Sequence, residues 1–223
     1  MDSSIYIYLL GFLAQGLFSA RLLVQWIMSE RAKKVVSPTI FWILSLIASF
    51  VFFIYGWLRD DFSLMLGQVI GYFVYIWNIG AKGGWKKIPQ PWRALAVSAL
   101  MLTPAVGLGA MAGHWGDISQ NLFHNEQIPL WMVIYGSAGQ VIFSLRFAYQ
   151  FLYSKKRSES ILPKGFWIIS LAGSLIIVSY AFIRHDWALA LGQTCGLVTY
   201  SRNLMIAVKS ERTAGKTNVL RSA

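Results

Sequence analysis

Two arginines interrupt apolar sequence at Arg21 and Arg146, and each is followed four residues later by a glutamine, Gln25 and Gln150. Arginine offers a planar fork of N–H donors that matches phosphate or carboxylate, and glutamine adds a neutral donor and acceptor. A third arginine, Arg202, stands in apolar sequence beside Asn203, and Asn78 closes a comparable stretch. The nine acidic residues fall in loops, tails or at the ends of apolar segments. Cations within apolar sequence need a counter-ion, and a phosphate or carboxylate on a ligand is the natural one. Arg21, Arg146 and Arg202 are therefore candidate anion-binding residues, with Gln25, Gln150, Asn78 and Asn203 supplying neutral hydrogen bonds suited to a sugar. The competing reading is helix capping and snorkelling. Arg21 and Arg146 lie about 10 Å from their helix ends at 1.5 Å per residue, and insertion costs of about 2.5–3.5 kcal/mol at a helix centre fall as the side chain reaches for water.

These residues recur because the chain contains a duplication. Gly11 to Ile79 aligns without a gap onto Gly136 to Leu204, at a constant offset of 125, with 24 of 69 positions identical. A residue kept in both halves stands out from the apolar background. At 100° per residue, Gly11, Gln15, Phe18, Ser19, Arg21, Gln25 and Ser29 share an arc of about 160°. Pro38, Phe41, Trp42, Ser45 and Ser49 share a face of the second segment. On the third, Leu64, Gly67, Gln68, Gly71, Tyr75 and Asn78 fall within about 100°. Their mates include Trp167, Ser170, Ser174, Gly192, Gln193, Gly196, Tyr200 and Asn203. Such faces look at something other than lipid. They are either packing seams, where Gly and Ser permit close approach, or a ligand site in which Gln68, Tyr75, Gln193 and Tyr200 join the arginines. Trp42 and Trp167 could stack on a sugar ring, or belong to an interfacial aromatic belt. Arg202 aligns with Trp77, so the halves are not equivalent.

The elements that position these residues follow from composition. A chain 56% hydrophobic and only 13% charged is not an ordinary soluble domain. Seven stretches are near the roughly 20 apolar residues a bilayer needs: Ile5 to Met28, Pro38 to Leu58, Phe62 to Gly80, Trp92 to Ala112, Pro129 to Tyr153, Gly165 to Ile183 and Trp187 to Val208. Of the Lys and Arg outside the three candidate anion sites, 15 fall on one side and only Arg59 and Arg184 on the other. The positive-inside rule then sets the N-terminus outside and the C-terminus in the cytoplasm. The net charge of +11 is thus topological rather than a sign of nucleic-acid binding, and the basic face would also attract anionic lipid headgroups.

Three helices per repeat would invert the second copy. The extra helix, with Pro104, Gly107 and Gly109 marking a bend or close packing, restores its orientation. The expected fold is all-α, a seven-helix polytopic membrane protein of two parallel three-helix bundles, 3+1+3, similar to SWEET-type transporters. Its divisions are residues 5–80, a linker with the fourth helix at 81–128, a second repeat at 129–208 and a disordered cytoplasmic tail at 209–223. The first helix reads as part of the fold rather than as a cleaved signal, because the second half repeats it. Asp61 with Arg59 and Asp186 with Arg184 read as outer-surface pairs, and His114 to Gln127 as a polar outer loop. Cys195 reads as a small packing residue.

Catalytic signals are poor. His114, His124 and His185 lack ligand spacing, and no nucleophile with a base, paired carboxylates or phosphate loop is found, so no catalytic residue, metal or cofactor is expected. Absent buried carboxylates also weaken proton- or sodium-coupled transport.

The pattern Arg21-x-x-x-Gln25-Trp26-x-x-Ser29-Glu30, then Ser37-Pro38-x-x-Phe41-Trp42-x-x-Ser45 and the Gly67 to Asn78 helix, resembles the bacterial lipid-A biosynthesis N-terminal domain family. The second copy repeats it as Arg146-x-x-x-Gln150-Phe151, Pro163-x-x-Phe166-Trp167-x-x-Ser170 and Tyr200-Ser201-Arg202-Asn203-Leu204. The resemblance implies a three-helix unit grouped with PQ-loop and SWEET-like proteins, named from copies fused to lipid-A-disaccharide synthase. Stand-alone forms resemble partners of polyprenyl-phosphate glycosyltransferases. These 223 residues hold no glycosyltransferase domain and no Pro-Gln pair at the end of a first helix. The resulting expectation is a bacterial inner-membrane transporter or flippase of an anionic lipid-linked sugar, either a polyprenyl-phosphate sugar or a lipid-A-type glycolipid, and not an enzyme. A SWEET-like free-sugar transporter and a membrane adapter for a glycosyltransferase are the alternatives. The chain would act as a monomer with an internal pseudo-dimer, or as a homodimer.

Overall fold

The computed structural model describes residues 2–58, 62–112, 129–183 and 187–222. The outer loop, the Arg59–Asp61 and Arg184–Asp186 pairs and all three histidines lie outside the described residues. Among these residues seven α-helices run in order: α1 (Asp2–Ala32), α2 (Thr39–Leu58), α3 (Phe62–Ala81), α4 (Gln90–Ala112), α5 (Leu130–Lys156), α6 (Lys164–Ile183) and α7 (Trp187–Ser222). A short 3₁₀ turn, Gly84–Lys87, precedes α4. No strand occurs among the described residues. Two helices are long and apolar enough to cross a membrane among these residues, Leu9–Ala32 and Lys164–Ile183.

Proline and left-handed residues punctuate the helices. Pro38 and Pro163 stand just before α2 and α6, where a fixed φ and a missing N–H suit a helix start. Lys33 and Ser158, partners in the duplication, both take positive φ, 53° and 52°. Each reverses the chain after its helix as a left-handed C-terminal residue does. α7 runs on to Ser222, where the sequence reading had a disordered tail. The helix continues past Lys209, and Glu211 pairs with Lys164 at the start of α6.

The chain divides into two compact units. One comprises Met1–Arg21 and Thr39–Pro129, the other Leu22–Pro38 and Leu130–Ala223. In the first, α2 packs on α3, and α3 on α4. Gly11 lets the Tyr55 ring approach α1, and Phe18 meets Phe52 edge-on at 5.9 Å. In the second, α6 lies between α5 and α7. A Cβ on Gly173 would sit 2.7 Å from the backbone of Phe143, so only glycine lets α5 and α6 approach this closely.

Polarity is inverted relative to a soluble domain. Phe12, Ile47, Phe73, Leu102, Val141, Leu175 and Val198 expose large apolar side chains on successive helices. Six repeat pairs of polar residues are buried: Arg21/Arg146, Gln25/Gln150, Ser29/Ser154, Ser45/Ser170, Ser49/Ser174 and Asn78/Asn203. Exposed apolar surface on this scale needs an apolar surrounding. Two expectations change. Gln15 and Ser19 are exposed rather than packed. Cys195 is exposed, and so is Gly192, with no neighbour near its Cα–Cβ direction. Gly71 and Gly196 are buried, and a Cβ there would meet the rings of Tyr75 and Tyr200, on their own helices, at 3.0 Å.

Candidate functional site

In the first unit the last turn before Leu22 delivers Arg21 into a cage of aromatic rings. Its guanidinium carbon lies 4.6 Å from the Phe18 ring centre, 5.4 Å from Phe41 and 5.9 Å from Tyr75. Its Nη1 donates to Ser45 Oγ at 2.8 Å and Tyr75 Oη at 3.2 Å. Ser45 in turn donates to the Phe41 carbonyl. Trp42 is fully buried, edge-on to Phe41 and 6.1 Å from Tyr75. Ring faces stabilise a desolvated cation by about 0.5–2 kcal/mol each, which offsets part of the cost of keeping Arg21 only 6% exposed.

The second unit repeats the cage with a different aim. Arg146, also 6% exposed, lies over Phe143 and Phe147, and its Nη1 donates to the Phe143 carbonyl of its own helix. Trp167 is fully buried, edge-on to Phe166 and 6.2 Å from Tyr200.

Four residues below the arginines along the helix, Gln25 and Gln150 build latches. Gln25 Nε2 reaches Ser29 Oγ at 2.9 Å and the Val36 carbonyl at 3.2 Å, while Val36 N–H donates to Ser29 Oγ at 3.1 Å. Gln150, Ser154 and Ile161 repeat the arrangement at 2.9, 2.9 and 3.0 Å. Both ends of the loop peptide are thus held by the preceding helix. The serines of these latches belong to the repeated face, but helical periodicity cannot reveal that their hydroxyls capture a loop. Gln25 Nε2 also reaches Asn203 Oδ1 at 2.9 Å, so its two N–H groups are shared among three acceptors, and Asn203 Nδ2 donates to the Thr199 carbonyl of its own helix. Asn78 Nδ2 makes the corresponding bond to Val74. Gln68 and Gln193 turn elsewhere, their Oε1 atoms accepting from Ser49 and Ser174 at 2.9 and 3.0 Å.

Arg202 is not the buried cation the sequence implied. Its side chain is 47% exposed and engages Glu30 through two bonds, Nε to Oε1 and Nη2 to Oε2, the second at 3.0 Å. Glu30 lies two positions beyond Met28, where the first apolar stretch ends, and the long arginine side chain reaches it. The carboxylate is further held by Trp26 Nε1 at 3.0 Å.

Two buried polar atoms of the second unit have no hydrogen-bond partner: Gln25 Oε1, an acceptor, and Trp167 Nε1, a donor. Gln25 bonds Asn203 and Trp167 packs on Tyr200, so both flank one turn of α7, about 4.5 Å along its axis. In the first unit Tyr72 Oη is likewise buried and unpaired. Tyr72 carries no signal in the sequence, since its partner in the duplication is Leu197. Buried polar atoms are nearly always satisfied, so each of these three calls for a partner, from water or from a ligand group.

A family described as Lipid A Biosynthesis N-terminal domain matches residues 10–80 and again residues 135–205. Relatives named lipid-A-disaccharide synthase share 31% identity over 216 residues in Chlamydia pneumoniae and 30% over 210 residues in Chlamydia muridarum. Each alignment covers 92% of this chain and 34% of the relative. The chain thus spans about a third of the length of the curated relatives it matches. No solved structure matches it.

Proposed function

The chain belongs to the Lipid A Biosynthesis N-terminal domain family, and from that membership we propose that it is an inner-membrane flippase or transporter for an anionic lipid-linked sugar. The substrate is a polyprenyl-phosphate sugar or a lipid-A-type glycolipid. In this reading all seven helices span the membrane, the N-terminus is periplasmic, and the two repeats are parallel. The observation that carries the proposal is the guanidinium each repeat buries among aromatic rings, Arg21 and Arg146. A buried cation is expensive and is kept where it has an anion to meet. Gln25 Oε1 and Trp167 Nε1 add one acceptor and one donor for sugar hydroxyls. The exposed Gln15 and Gln140, a repeat pair, supply polar surface on otherwise apolar helices for a headgroup to follow. Rocking of parallel repeats would alternate access to the two sides. The protein performs no bond chemistry of its own.

Reconstitution in liposomes tests this. The wild type should translocate a fluorescent polyprenyl-phosphate sugar, and Arg21→Ala with Arg146→Ala should stop it while leaving the protein folded. Flipping that survives both substitutions removes the anion-site mechanism. A second reading, an adapter that recruits a glycosyltransferase to the membrane, is favoured by the synthase relatives, which carry this region within a longer protein. Absence of flipping together with capture of such an enzyme would select it.

A further inference from the structure

The Glu30–Arg202 pair breaks the repeat. In the duplication Glu30 is matched by Lys155, Trp26 by Phe151 and Arg202 by Trp77. Lys155 is exposed, with its Nζ 5.8 Å from the Phe151 ring centre. Only the first repeat therefore places a carboxylate at this level. Glu30 is held by three donors, Trp26 Nε1 and the Nε and Nη2 of Arg202, yet its side chain is 37% exposed and that of Arg202 is 47% exposed. Arginine carries five N–H donors, and two suffice for Glu30. Arg202 lies 15 residues into α7, about 22 Å along a helix axis, close to the inner edge of a hydrocarbon core about 30 Å thick. A lipid phosphate sits just beyond that edge, in the headgroup layer, and the long arginine side chain reaches toward it.

We propose that Glu30 is the resident counter-ion of Arg202 and is exchanged for the phosphate group of the lipid-linked substrate as it enters from the cytoplasmic side. This rests on the substrate class proposed above. The neutral pair presents no net charge to an arriving anion, and the Glu30 carboxylate would repel a phosphate held beside it. Exchange gives the phosphate the full charge and the planar fork of Arg202. An exposed pair of this kind is weak enough to open, since such pairs shift an equilibrium by about 5-fold or less. Trp26 keeps the released carboxylate on α1, ready to return.

Binding by the full chain in detergent micelles tests the exchange, with citronellyl phosphate and inorganic phosphate as separate probes. Glu30→Gln should bind citronellyl phosphate about 5-fold more tightly than wild type, Arg202→Gln more weakly, and the double variant should match Arg202→Gln. A gain for both probes makes the phosphate group alone sufficient. A gain for citronellyl phosphate only adds the isoprenoid chain to what is recognised. An unchanged or weakened affinity in folded Glu30→Gln overturns the proposal, as does a gain that persists without Arg202. Should Glu30→Gln not fold, Glu30→Asp shortens the carboxylate and should show a gain in the same direction, with no gain again overturning it. Lipid flipping that persists while exchange fails leaves the transport reading intact. Exchange without flipping removes transport and keeps the anion site.

Discussion

The Gln25 side-chain amide donates to Asn203 Oδ1 across 2.9 Å and 178 residues of sequence. The same nitrogen secures Ser29 and the Val36 carbonyl. The two ends of this one side chain therefore differ: nitrogen holds α1, its loop and α7 together, and oxygen is buried with no hydrogen-bond partner.

Gln25→Leu strands the buried Asn203 Oδ1 and the part-buried Val36 carbonyl, and unmade buried bonds cost about 1–3 kcal/mol. Thermal unfolding in detergent should show a loss of that order. Adding Asn203→Leu should cost less than the sum of the two single changes, because the variants share one bond. Strict additivity would mean that the bond carries no stability.

The close approach of α5 and α6 predicts a second stability effect. Gly173→Ala would bring a Cβ to 2.7 Å from the Phe143 Cα, N and Cβ, and overpacking of this kind costs about 1–3 kcal/mol. Phe143 also offers its carbonyl and ring to Arg146. Anion binding should therefore weaken along with thermal stability. The matched position in the first repeat is Ala48, fully buried, so the requirement for glycine belongs to one copy. Unchanged stability in Gly173→Ala would show that the helices separate at no cost.

The burial of Arg21, Gln25, Ser45 and Asn78 with their mates was legible in the sequence because identity between the copies picks out a one-sided set of polar residues, although Gln15 and Ser19 are kept too and are exposed. Direction was not legible. Periodicity places Gln25 and Gln68 on inner faces, but whether a side chain meets a ligand, a loop carbonyl or a serine depends on rotamers and partners. Gly71 and Gly196 illustrate the same limit. A glycine on a shared face signals crowding, and only the coordinates reveal that the crowding group is a tyrosine on the same helix. Arg202 was misplaced for a related reason: assigning charges to segments ignores that an arginine at one depth reaches a carboxylate at another.

Arg21 separates a structural from a functional cation by the sign of its stability effect. Replacing a buried charge with an apolar side chain of similar volume is often neutral or stabilising, and Ser45 keeps its bond to the Phe41 carbonyl. Arg21→Met should therefore leave the unfolding temperature in detergent unchanged or raised, while affinity for citronellyl phosphate falls at least about 10-fold. A large loss of stability with unaltered affinity would assign the guanidinium to packing alone.

Trp167 allows the sugar and the phosphate to be tested separately. Its indole N–H is buried without an acceptor, whereas Arg21 and Arg146 present charge. If the indole meets a sugar hydroxyl, Trp167→Phe removes one hydrogen bond and keeps a ring against Tyr200. One net bond of about 0.5–1.5 kcal/mol corresponds to about 2- to 12-fold in affinity. That loss should fall on a short-chain polyprenyl-phosphate sugar and spare citronellyl phosphate, which has no sugar. A cavity left by the smaller ring would instead disturb both ligands alike. Equal losses for the two, measured by titration of the folded variant, would remove Trp167 from sugar recognition and return it to the aromatic packing around Phe166 and Tyr200.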